Sequence, residues 1–132
     1  MKKKLLLASL ITLLSINFAY AGCEAGTMMN GFCRSNVRLN WWSAAAWCKA
    51  NGMKLATMYE MCPSWDGNTG SGKCPEMSGL TTDSNIIGWS ATAKGSENAF
   101  VVRFQNGEVY AGGQRHELTG GLFNGSSYAM CR

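Results

Sequence analysis

Leu39-Asn40-Trp41-Trp42-Ser43-Ala44-Ala45-Ala46-Trp47-Cys48, read together with Cys131 beside the last residue, decides the fold. The stretch describes a short helix with three tryptophans around it and a cysteine on it. Ser43 is a good N-cap, and Gly52 is placed to end the helix in a left-handed conformation. With Ser43 as N-cap, Trp42 and Trp47 take the N′ and N4 positions of a hydrophobic staple. Trp42, Trp47 and Trp89 are therefore expected in the core, while Trp65 stands at the edge of a polar stretch and is expected to be exposed. The three alanines favour helix and let another element pack closely. A bond from Cys48 to Cys131 would tie this early helix to the final strand and close the domain on itself.

The first residues read as a leader. Lys2, Lys3 and Lys4 precede an apolar run from Leu5 to Phe18, and Ala19-Tyr20-Ala21 offers the small residues that a signal peptidase reads. Residues 1–21 are expected to be a signal peptide cut before Gly22, and 22–132 a single domain. The apolar run is short and interrupted for a membrane anchor. Tyr20-Ala21-Gly22-Cys23 also approaches a lipoprotein box, but Tyr20 stands where an aliphatic residue is usual, and acylating Cys23 would leave Cys33 without a partner. The remaining chain keeps nine of twelve basic residues against all eight acidic ones, a net charge of +1. Long-range attraction to nucleic acid or anionic lipid is not supported.

All six cysteines, at 23, 33, 48, 62, 74 and 131, fall in the exported part. An even count in a small exported domain reads as a disulfide framework. Sequence alone does not choose among the possible pairings, but local structure biases the choice. Cys23 and Cys33 flank the tight-turn dipeptide Asn30-Gly31. Cys62 and Cys74 bracket the flexible run Asp66 to Gly72, which leaves Cys48 with Cys131. Loop-closure entropy makes the short bridges worth about 3 kcal/mol each and the long one about 4.6 kcal/mol, as upper values. Structural zinc is disfavoured, because no Cys-x-x-Cys pair occurs and His116 is the only histidine.

Along the chain, Gly22 to Ser35 reads as a hairpin. Thr57-Met58-Tyr59-Glu60 fits a capping box and starts a second short helix that ends before Pro63. Ser64 to Thr82 reads as a long surface loop, and Ile86 to Thr92 as a strand. The segments 99–105 and 108–111 flank Asn106-Gly107, the strongest hairpin signal in the chain. Phe100, Val102 and Phe104 fall on one face, with Val101, Arg103 and Gln105 on the other. Tyr128 to Cys131 forms a last strand.

These residues resemble a C-type lectin-like domain of the compact kind found in bacterial exported proteins. The likeness rests on Cys23 with Asn30-Gly31-Phe32-Cys33, on Trp42-Ser43-Ala44 with Trp47-Cys48, Gly52 and Leu55-Ala56, on Gly88-Trp89-Ser90, and on Tyr128 to Arg132. It implies an α+β fold of two short helices, small antiparallel sheets and long loops, with the terminal cysteine joined to the first helix. The chain departs from the family's calcium-dependent sugar motifs. No Glu-Pro-Asn, Gln-Pro-Asp or Trp-Asn-Asp occurs, and Glu97-Asn98 lacks the intervening proline. Asp66-x-Asn68-x-Gly70 lacks a closing bidentate glutamate.

The expected function is calcium-independent binding of a glycan or protein ligand outside the cytoplasm, with no cofactor. The alternative is a structural subunit or tip module of a surface appendage or envelope complex. Catalysis is not expected, since no Ser-His-Asp arrangement can be read around His116. Candidate ligand contacts are Trp65, Glu97, Asn98, Gln114, Arg115, His116 and Asn124.

Overall fold

The computed structural model describes residues 23–67, 71–114 and 127–132. The leader, Arg115, His116 and Asn124 lie outside the described residues. Asn30 and Gly31, at φ 48° and 85°, form the two-residue turn that the dipeptide predicts. It joins β1 (Gly26–Met29) to β2 (Phe32–Leu39). Helix α1 (Trp41–Ala50) follows, then α2 (Met58–Met61), β3 (Ser71–Lys73), a 3₁₀ turn (Pro75–Met77), β4 (Ile87–Lys94), β5 (Asn98–Arg103), β6 (Glu108–Gln114) and β7 (Ser127–Cys131).

The strands form one mixed sheet in the order β1-β2-β7-β4-β5-β6-β3, instead of the small antiparallel sheets expected. Every pair is antiparallel except β4 with β7, where Gly88 lies opposite Tyr128 and Trp89 opposite Ala129. The class is α+β as read. The stretch 64–82, expected to be a loop throughout, contains β3 and the 3₁₀ turn.

Helix α1 begins one turn earlier than Ser43 suggests. Asn40 is the N-cap and accepts the Ser43 N–H at 2.8 Å. Trp42 thereby becomes the second helical residue, faces away from the sheet and is 59% exposed. The expectation that it belongs to the core fails for this reason. Trp47 is only half-buried, lying over Gly26, while Ala44 and Cys48 supply the buried face. The helix ends as expected: Gly52 has φ 75°, its N–H reaches Lys49 O, and the Met53 N–H reaches Cys48 O, the paired bonds of a Schellman motif. The α2 capping box is also present, with Thr57 and Glu60 exchanging bonds.

The sheet separates two buried clusters. On the α1 side Cys48, Leu55, Ile87, Trp89, Val101, Ala129 and Cys131 pack together. On the α2 side Met58, Met61, Cys62, Trp65, Phe100, Val102, Phe104, Val109 and Met130 do so. Trp65 is 6% exposed, against the sequence expectation. Its backbone N–H donates to Cys62 O at 2.9 Å, and the ring lies inward against Phe100 and Tyr59, at 4.9 and 5.0 Å between centroids.

The three disulfides are Cys23–Cys33, Cys48–Cys131 and Cys62–Cys74, as local structure favoured. They fit an oxidising environment outside the cytoplasm. Among the described residues no helix is long and apolar enough to cross a membrane.

Two buried serines repair two interruptions of the sheet. The β2–β7 register shifts between Arg34 and Arg38, and there Ser35 Oγ accepts the Ala129 N–H at 2.9 Å and donates to Val37 O. The β4–β5 register shifts between Trp89 and Ala93, and there Ser90 Oγ donates to Phe100 O at 2.8 Å and accepts the Thr92 N–H. Each hydroxyl replaces a ladder bond that a bulge removes.

Ser35→Ala and Ser90→Ala should each cost about 1–3 kcal/mol, the cost of an unsatisfied buried amide or carbonyl, read by denaturant unfolding of the oxidised domain. Trp65→Ala should cost about 3–5 kcal/mol and exceed Trp47→Ala; equal midpoints would misplace the core. Glu60 is held below the ordinary carboxylate value of 4.5, chiefly by the Thr57 backbone N–H. Its stabilisation is therefore present above the unfolded value and lost as pH falls through the lowered folded one. Glu60→Gln should flatten that acid limb in a pH series of thermal melts.

Candidate functional site

Strand alternation puts Phe100, Val102 and Phe104 on the α2 side and sends Val101 and Arg103 to the α1 side, as the sequence indicates. Helix α1 packs on β7, β2 and β4. Beyond it, the α1 side of the sheet grades from buried Val101 through half-buried Arg103 and Tyr110 to exposed Lys73. Gly107, at φ 74°, lets the chain turn against the Cys74 backbone, where a Cβ would lie 2.4 Å from Cys74 O. The turn brings Arg103 and Glu108 together, and β3 adds Lys73 directly opposite Glu108.

The resulting cluster is compact. Arg103 Nη1 lies 3.5 Å from Glu108 Oε2, and its guanidinium stands 5.1 Å from the Tyr110 ring centroid. The Tyr110 hydroxyl donates to the same carboxylate oxygen. The Glu108 backbone N–H is held by Asn106 Oδ1 at 3.0 Å. Gly72, Lys73, Glu108, Val109 and Tyr110 line an open hollow of about 400 Å³.

Electrostatics fix the protonation states. The hydrogen bond from Tyr110 holds Glu108 below the ordinary carboxylate value, with Asn106, Arg103 and Lys73 adding to the effect. Burial pushes the Tyr110 phenol up, and its bond to Glu108 pushes it further. At neutral pH the hollow therefore offers an ionised carboxylate, a protonated phenol with an aromatic face, and two cations. It can exchange hydrogen bonds with hydroxyl or amide groups. Glu108 itself, having lost its proton, serves there as an acceptor.

The sequence-derived contacts are placed differently. Asn98 and Gln114 are register partners at the end of the β5–β6 ladder, and Glu97 is exposed in the adjoining β4–β5 turn. These three share one rim of the sheet. Trp65 is buried on the opposite side and offers no ring to solvent. Arg103, Glu108 and Tyr110 were not among the expected contacts, although the Asn106-Gly107 hairpin already brought Arg103 and Glu108 near each other. Lys73 carried no such signal, because β3 is three residues long and contains a glycine.

Among the described residues, the one grouping of three His, Cys, Asp or Glu side chains close enough to share an ion is Cys62, Cys74 and Glu76. Both sulfurs belong to a disulfide, so they are not thiolate ligands. No protein-family model matches the chain, and no curated protein matches it.

The Glu108 carboxyl should titrate below 4.5, and Tyr110 should ionise above 10.0, as followed by NMR. Tyr110→Phe should raise the Glu108 value. An unchanged Glu108 titration would show that the hydroxyl does not bond it.

Proposed function

We propose that the chain is an extracytoplasmic recognition module of the C-type lectin-like kind, and that it binds a glycan or protein ligand without calcium through the β6–β3 hollow. The observation that carries this reading is the Tyr110 ring beside the ionised Glu108 carboxylate, with Arg103 and Lys73 around it on strands instead of loops. Saccharide hydroxyls meet acceptors and donors there, and the ring gives an apolar face for stacking. The lectin-like reading is supported by the Cys23–Cys33 hairpin, by the bond from α1 to the terminal strand, and by Gly88-Trp89-Ser90 within the central strand β4. Three disulfides support an exported location.

A specific observation favours a second reading, a subunit of a surface assembly. Strand β1 is an open sheet edge, and Met28 and Val37 on its hairpin are each 58% exposed. Open edges with apolar flanks invite strand addition.

A glycan array and an affinity capture with the oxidised domain, residues 22–132, test the first reading. Glu108→Gln and Lys73→Ala should weaken the captured ligand about tenfold each, or about 1.4 kcal/mol, measured at a temperature where each variant is fully folded. Loss of self-association or capture on Met28→Lys, with Glu108→Gln silent, would favour assembly. Calcium is expected to leave stability unchanged. A ligand at about a hundred times its Kd adds roughly 2.7 kcal/mol, so melting curves in excess chelator and in millimolar calcium should overlap; an upward shift would reverse that expectation.

A further inference from the structure

The opposite side of the sheet carries a second cluster, independent of the hollow. Tyr128 alternates with Ala129 and Cys131, whose side chains pack on the α1 side, so its ring stands on the α2 side with Met130. The bulge between Arg34 and Arg38 sets both arginines against this ring. Their guanidinium carbons lie 4.8 and 5.8 Å from its centroid. Such stacking holds a guanidinium plane without using its outer N–H groups.

Among the described residues both cations lack the usual partner. The ion pairs among the described residues are Arg103 with Glu108 and Arg132 with Glu60. Neither Arg34 nor Arg38 has a carboxylate within reach there. Arg38 donates to the Asn85 carbonyl at 3.3 Å, and Arg34 Nε is buried with no hydrogen-bond partner among the described residues. Asp83, on the same turn, already accepts the Asn85 N–H. Two like charges gathered on one ring repel each other. An oxyanion between them would remove that repulsion and take forked, charge-assisted bonds.

We propose that Arg34, Arg38 and Tyr128 form an anion-binding site for an acidic saccharide, with the guanidiniums holding its carboxylate or sulfate. A saccharide is favoured because the site borders the exposed turn Thr82 to Asn85, whose hydroxyl, carboxylate and amide groups suit hydrogen bonds with saccharide hydroxyls.

The probes are oligogalacturonate, a sulfated oligosaccharide, inorganic sulfate, a neutral oligosaccharide of matched length and a glutamate-rich peptide. Each is titrated into the oxidised domain while the arginine Nε–Hε NMR signals are followed. The Arg34 and Arg38 signals should shift with oligogalacturonate or the sulfated saccharide, and inorganic sulfate should compete. Arg38→Gln, at an exposed position, should weaken binding at least tenfold, and Arg34→Lys should do so while keeping the charge, because lysine has no fork. Lys49→Gln, an exposed cation on α1, should change nothing. Unmoved arginine signals, equal binding of the neutral saccharide, or equal loss with Lys49→Gln would overturn the site. Tighter binding of the acidic peptide would overturn the saccharide assignment. Arg34 and Arg38 lie away from the hollow, so Glu108→Gln should leave this binding intact, and the two readings fail separately.

Discussion

The last five-residue strand is the constraint on which the rest depends. Strand β7 lies between β2 and β4, antiparallel to one and parallel to the other. Cys131 is bonded to Cys48 of α1, and the segment after α1 runs beside it through paired Lys54 and Arg132 bonds and an Ala56 N–H to Met130 O bond. A helix, two strands and a connecting segment are thus fixed by one stretch. Parallel pairing of β4 with β7 requires a long excursion between them, here through β5, β6 and residues 115–126. The bridge spans 83 residues, so it removes more freedom from the unfolded chain than either local one. Without it the sheet would have to hold its middle by non-local pairing alone.

Tryptophan placement completes that arrangement. Trp89 is 1% exposed, and its indole N–H donates to Leu39 O at 2.7 Å. Trp41 donates to Ser90 O at 2.8 Å. The two bonds cross between the β2–α1 junction and β4, so the start of the helix is registered against the central strand. Buried indoles that satisfy their N–H in this way add packing without an orphan donor. The helix consequently settles over β2, β7 and β4, and beyond buried Val101 the β5–β6–β3 portion of the same side is left to Arg103, Glu108, Tyr110 and Lys73. Candidate site and helix position are two results of one packing decision.

Local signals were legible in the sequence because their causes are local. Asn30-Gly31, the Thr57 capping box and Gly52 each specify a backbone conformation within a few residues, and the structure has all three. Asn106-Gly107 marks the right hairpin but closes a four-residue turn from Phe104 to Gly107, so β5 ends at Arg103 and not at Gln105. Of the short disulfides, Cys23–Cys33 followed from the Asn30-Gly31 turn and Cys62–Cys74 from the flexible run it closes. What was not legible has distant causes. Asn40 and Ser43 are both good caps, and the choice between them is tied to Trp89 reaching Leu39. Trp65 sits among polar neighbours, yet Phe100, far along the chain, supplies the contact that buries it. The parallel β4–β7 pair has no periodicity of its own to announce it. At the site, alternation had already set Arg103 opposite the Phe100 face, but its meaning needed β3, whose three residues give no strand pattern.

The residues of both proposed clusters stand on strands, and that has energetic content. A side chain on a loop must be ordered when a ligand binds, at about 0.5–1.5 kcal/mol for each rotamer-rich group. Glu108 is tied by its backbone to Asn106 and by its carboxylate to Tyr110 and Arg103, and Arg34 and Arg38 are stacked on Tyr128. Much of that ordering is complete before any ligand arrives. Rigidity also explains why a small domain maintains such groups at all: disulfides hold the strands in register, the bulges aim the arginines, and buried serines offset the broken ladder bonds. The two clusters stand on opposite sides of one sheet, one with its carboxylate paired and one whose arginines have no carboxylate partner among the described residues. The chemistry proposed for them differs accordingly, hydroxyl exchange on one side and oxyanion capture on the other, from a single stapled frame.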